Sequence, residues 1–462
     1  MEQDYLTSKS PFTSLLVFSV PVIMGNFFQQ LYTMVDSAIV GRYVSQNALA
    51  AVGASFSITN IFICVAIGGG IGAGVIVSRY FGAKKSAKLK TACFTSLFAF
   101  LALSLILSAA GLFVSLPLME ALKTPSDSLN DASVYLNIYF LGLPFLFMYN
   151  IFSSLFNAFG KSKIPLCFLL FSSILNVVLD LIFVKEFKMG VAGAAWATLL
   201  SQGISAVFSF IVFLAVLKKI TVEMEKSLFL QNDVKSEHKV RLFSFPELNS
   251  MTKTAVPSIL QQSTVSIGMM LVQSVVNSFG SECLAGYTAA ARIAAVCIVP
   301  MASLNNSVSS YTAQNIGAGK IDRVVKGYHC ANILVVFFAA FIAFAIHFAY
   351  SPLIDFFLGD DKTPLAVQTG KNFIRFEGSF YCWIGFKMAV DGVLRGAGDM
   401  KMFTVANLVN LSIRVVLSMV LAPRYGIGWV WYSVPIGWFA NFVISFARYK
   451  TGKWKSAAVL AK

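Results

Sequence analysis

"TACFTSLFAFLALSLILSAAGLFVSLPLM", residues 91–119, runs for 29 residues without an Asp, Glu, Lys or Arg. About 20 such residues in a helix, rising about 1.5 Å each, cross the hydrocarbon core of a bilayer. The same pattern recurs at 43–78, 132–160, 189–217, 254–281, 293–319, 327–354 and 425–447. Shorter apolar runs lie near 12–35, 164–184, 378–394 and 402–422. None of these runs alternates in polarity as barrel strands do. A buried backbone in lipid must close its hydrogen bonds within the segment, so helices are expected. The prediction is an all-α integral membrane protein with about 12 transmembrane helices. Bulk composition agrees: 57% of the 462 residues are hydrophobic and 12% charged, against about 25% charged in a soluble domain.

The start of the chain, "MEQDYLTSKS", is not basic, and no A-x-A site follows the first apolar run. The first span is therefore expected to stay in place as a membrane helix. The seven Cys (64, 93, 167, 283, 297, 330, 382) have no CxxC spacing and read as packing residues that do not fix a redox compartment.

The net charge of +15 invites a nucleic-acid reading, but its distribution argues otherwise. With the N-terminus inside, alternate segments hold Lys9; Arg79, Lys84, Lys85, Lys88 and Lys90; Lys161 and Lys163; Lys218 through Lys253; Lys320, Arg323 and Lys326; Arg395 and Lys401; and the tail from Arg448. That is 25 of 36 basic residues, and the opposite loops hold eight. This asymmetry places both termini in the cytoplasm. A nucleic-acid patch would be one contiguous surface.

Residues 218–253 form the one long charged linker, and the halves on either side echo each other. "SVPVIMGNFFQQ" (19–30) pairs with "AVPSILQQ" (255–262), and "ALAAVGAS" (48–55) with "CLAGYTAA" (283–290). "RYFGAKK" (79–85) pairs with "QNIGAGK" (314–320), "FNAFGKSK" (156–163) with "LRGAGDMK" (394–401), and "GVAGAAWAT" (190–198) with "GIGWVWYS" (426–433). Five blocks in order indicate an internal repeat. Residues 1–217 and 254–462 are expected to form an N-lobe and a C-lobe of six helices each. An even number of crossings per half makes the halves parallel, related by a pseudo-twofold axis along the membrane normal. Such repeats are characteristic of secondary transporters; a duplication kept for stability alone is the alternative.

"VPVIMGNFFQQLYTMVDSAIVGRYVSQNALAAVG", the "GAKK"/"GAGK" pair, "LRGAGD" and "NVVLD…GVAGAAWAT" together resemble the multidrug and toxic compound extrusion (MATE) family, from about Pro11 to Trp438. The resemblance implies twelve helices in two six-helix lobes around a central cavity. It also implies exchange of organic, mostly cationic or amphipathic compounds for Na⁺ or H⁺, in a plasma membrane (in a bacterium, the inner one).

Polar residues within the spans carry the chemistry. Asp36 ends 26 uncharged residues, Ser10 to Val35. An ionised Asp at a membrane helix centre costs about 2.5–3.5 kcal/mol. Asn176 and Asp180 stand four apart on one face of the fifth span, and Thr198 lies in the sixth. Carboxylate, amide and hydroxyl oxygens suit a hard cation. Two acids sharing a low-dielectric site also suit a proton. Within the resemblance, Asp36, Asn176, Asp180 and Thr198 match the N-lobe cation site of the DinF-like branch. The plainer alternatives are that Asp180 joins Lys185 and Glu186 in an ion-pair cluster at the membrane edge, that Asp36 lies near the outer boundary beside Arg42, and that Asn176 is interhelical glue.

The seventh span, "AVPSILQQSTVSIG", carries Gln261 and Gln262 where some MATE branches carry an acid, which puts a C-lobe cation site in doubt. Lys387 and Asp391, four apart, are expected to neutralise each other. Arg292 and Arg414 read as partners of carbonyls or carboxylates, and Glu377 as the local partner of Arg375. "GGGIGAG" (68–74) fits G-x-G-x-x-A, but no strand precedes it; Gly68/Gly72 and Gly70/Gly74 read as small-xxx-small contact pairs. Pro21 and Pro257 are repeat-equivalent bend points and candidates for gating. A substrate cavity is expected to use Gln29, Gln30, Tyr139, Met148, Asn150, Gln261, Gln262 and Met269. The His residues (238, 329, 347) form no metal motif, no nucleophile set is present and no GxxxxGK[ST] occurs. No enzyme activity and no cofactor beyond the coupling Na⁺ or H⁺ is therefore expected. The partners expected are small organic substrates and the bilayer, with the chain acting as a monomer and without nucleic acid. The alternative function is a lipid-linked oligosaccharide flippase of related architecture, for which only Arg292, Lys387 and Arg414 could supply the cationic cavity. A non-transporting membrane scaffold would leave Asp36 and Asp180 unexplained.

Overall fold

The structure is a computed structural model that describes residues 4–44, 46–121, 126–230, 240–359 and 362–455. Its elements are α1 (Tyr5–Ser8), α2 (Pro11–Tyr43), α3 (Gln46–Gly82), α4 (Ser86–Ala121), α5 (Ser126–Ala158), α6 (Lys163–Asp180), a π-helical turn (Leu181–Glu186), α7 (Gly190–Leu230), α8 (Phe245–Asn277), α9 (Ser281–Gly317), α10 (Ile321–Leu358), α11 (Pro364–Gly378), α12 (Tyr381–Ala397), α13 (Met400–Tyr425) and α14 (Gly428–Lys450). No strand occurs among the described residues. Among the described residues eleven helices, α2–α10, α13 and α14, are long and apolar enough to cross a membrane. Two shorter helices, α11 and α12, stand where the repeat places the counterpart of α5. The hydropathy run at 378–394 marks only α12, because α11 carries Lys371, Arg375 and Glu377. Of the charged linker, 218–230 continue α7, 231–239 lie outside the described residues, and α8 begins at Phe245.

The internal repeat is visible in backbone geometry. α5 ends on Gly160 (φ 73) and α12 on Gly398 (φ 74). The closing bonds match too. Gly160 N donates to Asn157 O (2.9 Å) and Lys161 N to Phe156 O (2.9 Å); Gly398 N donates to Arg395 O (2.9 Å) and Asp399 N to Leu394 O (2.9 Å). A left-handed residue at a helix C-terminus is usually glycine because it has no Cβ to clash. The α3 and α9 ends repeat the same device, with Lys84 (φ 55) in the first and Gly319 (φ 72) in the second.

Two compact units form. One gathers Met24–Ile259 with the N-terminal residues up to Asp4; the other gathers Tyr5–Ile23 with Leu260 onward. α2 and α8 therefore each contribute to both units, and in each helix the change comes just after its proline, Pro21 or Pro257. The core of the first unit is aromatic, with Phe140, Phe147, Phe152, Phe156, Phe159 and Phe213 fully buried. Tyr311, Tyr381, Phe403 and Trp454 anchor the second.

The glycines of 68–74 sit within helix α3, which excludes a dinucleotide loop. A Cβ on Gly68 would stand 2.6 Å from Ile259 Cα, and one on Gly72 2.5 Å from Ala255 Cα. Gly70 and Gly74 face Ser154 of α5, where a Cβ would stand 2.7 Å from the Ser154 hydroxyl and 3.4 Å from its carbonyl oxygen, respectively. The small-xxx-small pairs thus admit two neighbouring helices at backbone contact. The seven cysteines are free thiols, three of them buried.

Candidate functional site

α6 is apolar outside and polar inside. Its buried residues are Ser172, Asn176 and Asp180, at i, i+4 and i+8, while Phe171, Ile174 and Val178 face outward. Lipid tolerates that outer face, and the inward stripe needs polar partners. They come from three other helices of the same unit. Asn176 Nδ2 donates to Asp180 Oδ2 (2.9 Å), and its carbonyl accepts from Thr198 Oγ1 (3.3 Å) and Thr198 N (3.1 Å) on α7, in the amide orientation that satisfies both ends. Asp36 of α2 brings its carboxyl group against that of Asp180. Tyr32, one turn before Asp36, shares a hydrogen bond with the Thr198 side chain. Tyr135 of α5 lies within electrostatic range of both acids. The four residues expected to act together are therefore together.

Asp36 Oδ1 and Asp180 Oδ1 are both buried without a donor among the described residues. Two carboxyl groups facing each other in low dielectric, each with an orphaned oxygen, need a proton or a cation between them. The donor set of two carboxylates, an amide carbonyl and a hydroxyl fits a hard monovalent cation or a proton. Tyr135 and Thr198 also border a cavity of about 20 Å³ with Tyr139 and Gln202, room for about one water. The membrane-edge reading of Asp180 fails. Lys185 and Glu186 pair with each other at 3.4 Å on the exposed π turn, while Asp180 is fully buried. π turns often interrupt helices at functional sites. Here the widened turn, with Phe187 N donating to Ile182 O (2.9 Å), begins immediately after the acid.

The residues nominated for a substrate cavity lie in two groups. In the first unit, Gln29 is exposed, while Gln30 and Met148 are half-buried. Tyr139 donates its hydroxyl to Thr59 O (3.1 Å), and Asn150 Nδ2 donates back to Leu146 O (2.9 Å). In the second, Gln261 is buried, Gln262 half-buried and Met269 exposed. Tyr32, Tyr135 and Gln202 were missed by the sequence reading; the first two sit one helical turn from Asp36 and Tyr139, a spacing that could have pointed to them.

The second unit carries a different polar core. Lys387 Nζ meets Asp391 Oδ2 (3.3 Å) and donates to Asn407 Oδ1 (3.0 Å), and Ser445 Oγ donates to Asp391 Oδ1 (2.7 Å). The expected neutral pair is present and further satisfied. Arg395, fully buried, donates to Asn305 Oδ1 (2.8 Å), Asn306 Oδ1 (2.9 Å) and Ser309 Oγ (3.3 Å). Arg292 is exposed. Glu377 does not pair with Arg375: Arg375 stacks over the Tyr350 ring (5.3 Å), and Glu377 is buried on another side of the helix. Residues two apart on a helix do not share a face. Among the described residues no cluster of three or more His, Cys, Asp or Glu could hold a metal ion.

The chain is similar to known proteins along nearly its whole length. The chain is 29% identical over 451 residues to "Probable multidrug resistance protein YpnP" of Bacillus subtilis, covering 96% of this chain and 95% of that one. It is 24% identical over 458 residues to "Probable multidrug resistance protein YoeA" of the same organism, covering 97% and 96%. A solved structure described as the outward-facing conformation of a multidrug resistance MATE family transporter superposes with a TM-score of 0.86 at 23% identity, over 99% of both chains. The MatE family model matches twice, over residues 21–182 and 257–420, once in each half of the repeat. With both halves matched and the acid pair set between helices of the first, the chain belongs to the MatE family of membrane transporters.

Proposed function

We propose that this protein is a multidrug exporter that moves organic, mostly cationic or amphipathic compounds out of the cell in exchange for Na⁺ or H⁺. One observation carries the coupling: the paired carboxyl groups of Asp36 and Asp180, each with a buried oxygen lacking a donor. An incoming cation binds there, with Asn176 and Thr198 completing the shell. Binding removes the repulsion between the acids, which lets α2, α6 and α7 pack differently and favours release of the organic substrate outward. One charge crossing 100 mV supplies about 2.3 kcal/mol, and a 100-fold substrate gradient needs about 2.7 kcal/mol. An organic cation leaving the cell spends what one entering ion gains from the potential, so a one-for-one exchange is driven by the ion's concentration gradient alone, and a second ion adds about 2.3 kcal/mol per 100 mV. The multidrug resistance names of the relatives support the substrate class. The reading keeps both termini cytoplasmic, assigns bending to Pro21 and Pro257, and keeps the Gln, Tyr, Met and Asn side chains nominated above as substrate contacts.

The test is transport of ethidium, a fluorescent organic cation, into the lumen of everted vesicles under imposed Na⁺ or pH gradients. Wild type responds to at least one gradient; Asp36→Asn and Asp180→Asn each lose that response by tenfold or more. Full gradient-driven efflux in both variants would defeat the coupling model. Movement of a polyprenyl-pyrophosphate probe without ethidium efflux would point to a flippase instead.

A further inference from the structure

In the second unit, α10, α12 and α14 enclose a pocket that the acid site does not use. α14 stops at Lys450, and the chain turns at Gly452 (φ 69), a left-handed conformation that glycine adopts without steric cost. Trp454 therefore folds back on the helix, 1% exposed, and donates its Nε1 to Tyr449 O (3.0 Å). Its ring stacks on Tyr449 (5.8 Å, 5° between planes), and Tyr449 meets Tyr328 of α10 at 4.5 Å. Tyr328 shares a side-chain hydrogen bond with Asn332, one turn further along α10. This stack ties the tail to α10 and borders a cavity of about 470 Å³.

The cavity wall has two characters. Lys450 and Lys455 line it, both exposed, and neither closes an ion pair among the described residues. Lys450 Nζ lies 5.4 Å from the centre of the Phe446 ring and Lys455 Nζ 5.8 Å from that of Trp454, so each ammonium group rests on an aromatic face. No Asp or Glu lines the cavity among the described residues. Asp399, at the start of α13, is already paired with Arg448. The pocket therefore carries two uncompensated positive charges. The rest of its wall is apolar. Phe446 and Phe442 stand one and two turns back from Lys450 on α14, about 6 and 12 Å along the axis. Phe386 of α12 packs on Phe442 (6.1 Å). The three rings are half-buried, in helices that lie at membrane depth. An organic cation would be repelled by the lysines, and a small soluble anion would leave the rings uncovered. A phosphate carrying an acyl chain matches both ends of the wall.

We propose that this pocket binds one anionic phospholipid, its phosphate between Lys450 and Lys455 and an acyl chain along Phe446, Phe442 and Phe386. The site goes beyond the exporter reading and takes from it only the cytoplasmic placement of the C-terminus, which puts the lipid in the inner leaflet. A lysine near a membrane surface favours an anionic headgroup by about fivefold, so two favour it by about 25-fold over a zwitterionic lipid such as phosphatidylcholine. The bound lipid joins α10, α12 and α14 to the C-terminal tail and reinforces the tie that the Trp454, Tyr449 and Tyr328 rings make.

Native mass spectrometry of the full chain in detergent, given equal amounts of phosphatidylglycerol and phosphatidylcholine, reads the preference without any transport. Wild type should retain one phosphatidylglycerol with a preference of about 25-fold. Lys450→Ala/Lys455→Ala should abolish the preference, and Lys450→Arg/Lys455→Arg should keep it. Lys253→Ala/Lys401→Ala removes the same charge from exposed positions elsewhere and should leave it unchanged. Thermal unfolding reports that each variant is folded. If the Lys450/Lys455 alanine pair misfolds, phosphatidylglycerol with a photoreactive acyl chain decides on wild type, where crosslinks should fall on Phe386, Phe442 or Phe446. Equal retention of the two lipids by wild type would overturn the proposal, as would equal losses in the two alanine pairs or crosslinks confined to other helices. Displacement of the lipid by an equal concentration of inorganic phosphate or of deacylated glycerophosphoglycerol would overturn it too, by making the pocket a site for soluble anions. Ethidium transport is read on the Asp36 and Asp180 variants, so failure of the coupling model and failure of this site are separate results.

Discussion

Replacing Gly72 with alanine adds one methyl group at the tightest point between α3 and α8. An ideal Cβ there falls 2.5 Å from Ala255 Cα and N and 2.6 Å from its Cβ. These are backbone atoms, so no side chain can swing away. Ordinary contact starts at 3.4 Å, so the helices must part by about 0.9 Å, a gap that forfeits a quarter to a half of the local dispersion energy. Overpacking of this kind costs about 1–3 kcal/mol, offset by about 1 kcal/mol of helix propensity gained over glycine. A net loss of up to about 2 kcal/mol is expected. Gly53, also within α3, is exposed with nothing within 4 Å of its ideal Cβ, so Gly53→Ala keeps only the propensity gain. The two variants should move in opposite directions in thermal unfolding followed by tryptophan fluorescence in detergent. Gly68→Ala, whose Cβ would stand 2.6 Å from Ile259 Cα, should follow Gly72→Ala. Equal stability of Gly72→Ala and Gly53→Ala would show that the helices do not approach this closely.

Two further outcomes follow from the geometry. Asp391→Ala strands Lys387 in the second core and should cost about 3–5 kcal/mol, whereas Lys387→Met with Asp391→Leu should cost clearly less; equal losses in chemical denaturation would show that the pair does not act as a unit. Pro21→Ala restores a helix hydrogen bond where α2 changes from one unit to the other, and ethidium efflux should slow several-fold with little change in stability; unchanged efflux would remove Pro21 from gating.

Much of the acid site was legible in advance. Asp36, Asn176, Asp180 and Thr198 are polar where the surroundings are apolar, and the i, i+4 spacing of Asn176 and Asp180 names a shared face. The aromatic partners Tyr32 and Tyr135 were not legible, since tyrosines are common in these spans and only the approach of α2, α5 and α7 to α6 selects them. The pairing of Glu377 with Arg375 was misread from proximity along the chain. A helix turns by roughly 100° per residue, which sends the arginine outward to Tyr350 and the glutamate inward toward Arg414.

The sequence by itself determined the membrane class, the number of crossings to within the split α11–α12 pair, the repeat and the family. Each of these follows from one-dimensional quantities: lengths of uncharged chain set against bilayer thickness, lysines counted on alternate loops, and blocks recurring at a fixed offset. Tertiary structure decided the contacts between charges far apart in the chain. It set Asp36 against Asp180 across 144 positions and left Glu377 and Arg414 without a closed ion pair among the described residues, whereas Lys387–Asp391, four apart on one helix, was legible from spacing. The reason is rotational. Hydrophobicity fixes that a helix lies in lipid but hardly constrains its angle about its own axis, and that angle is set by close contacts such as Gly72 on Ala255.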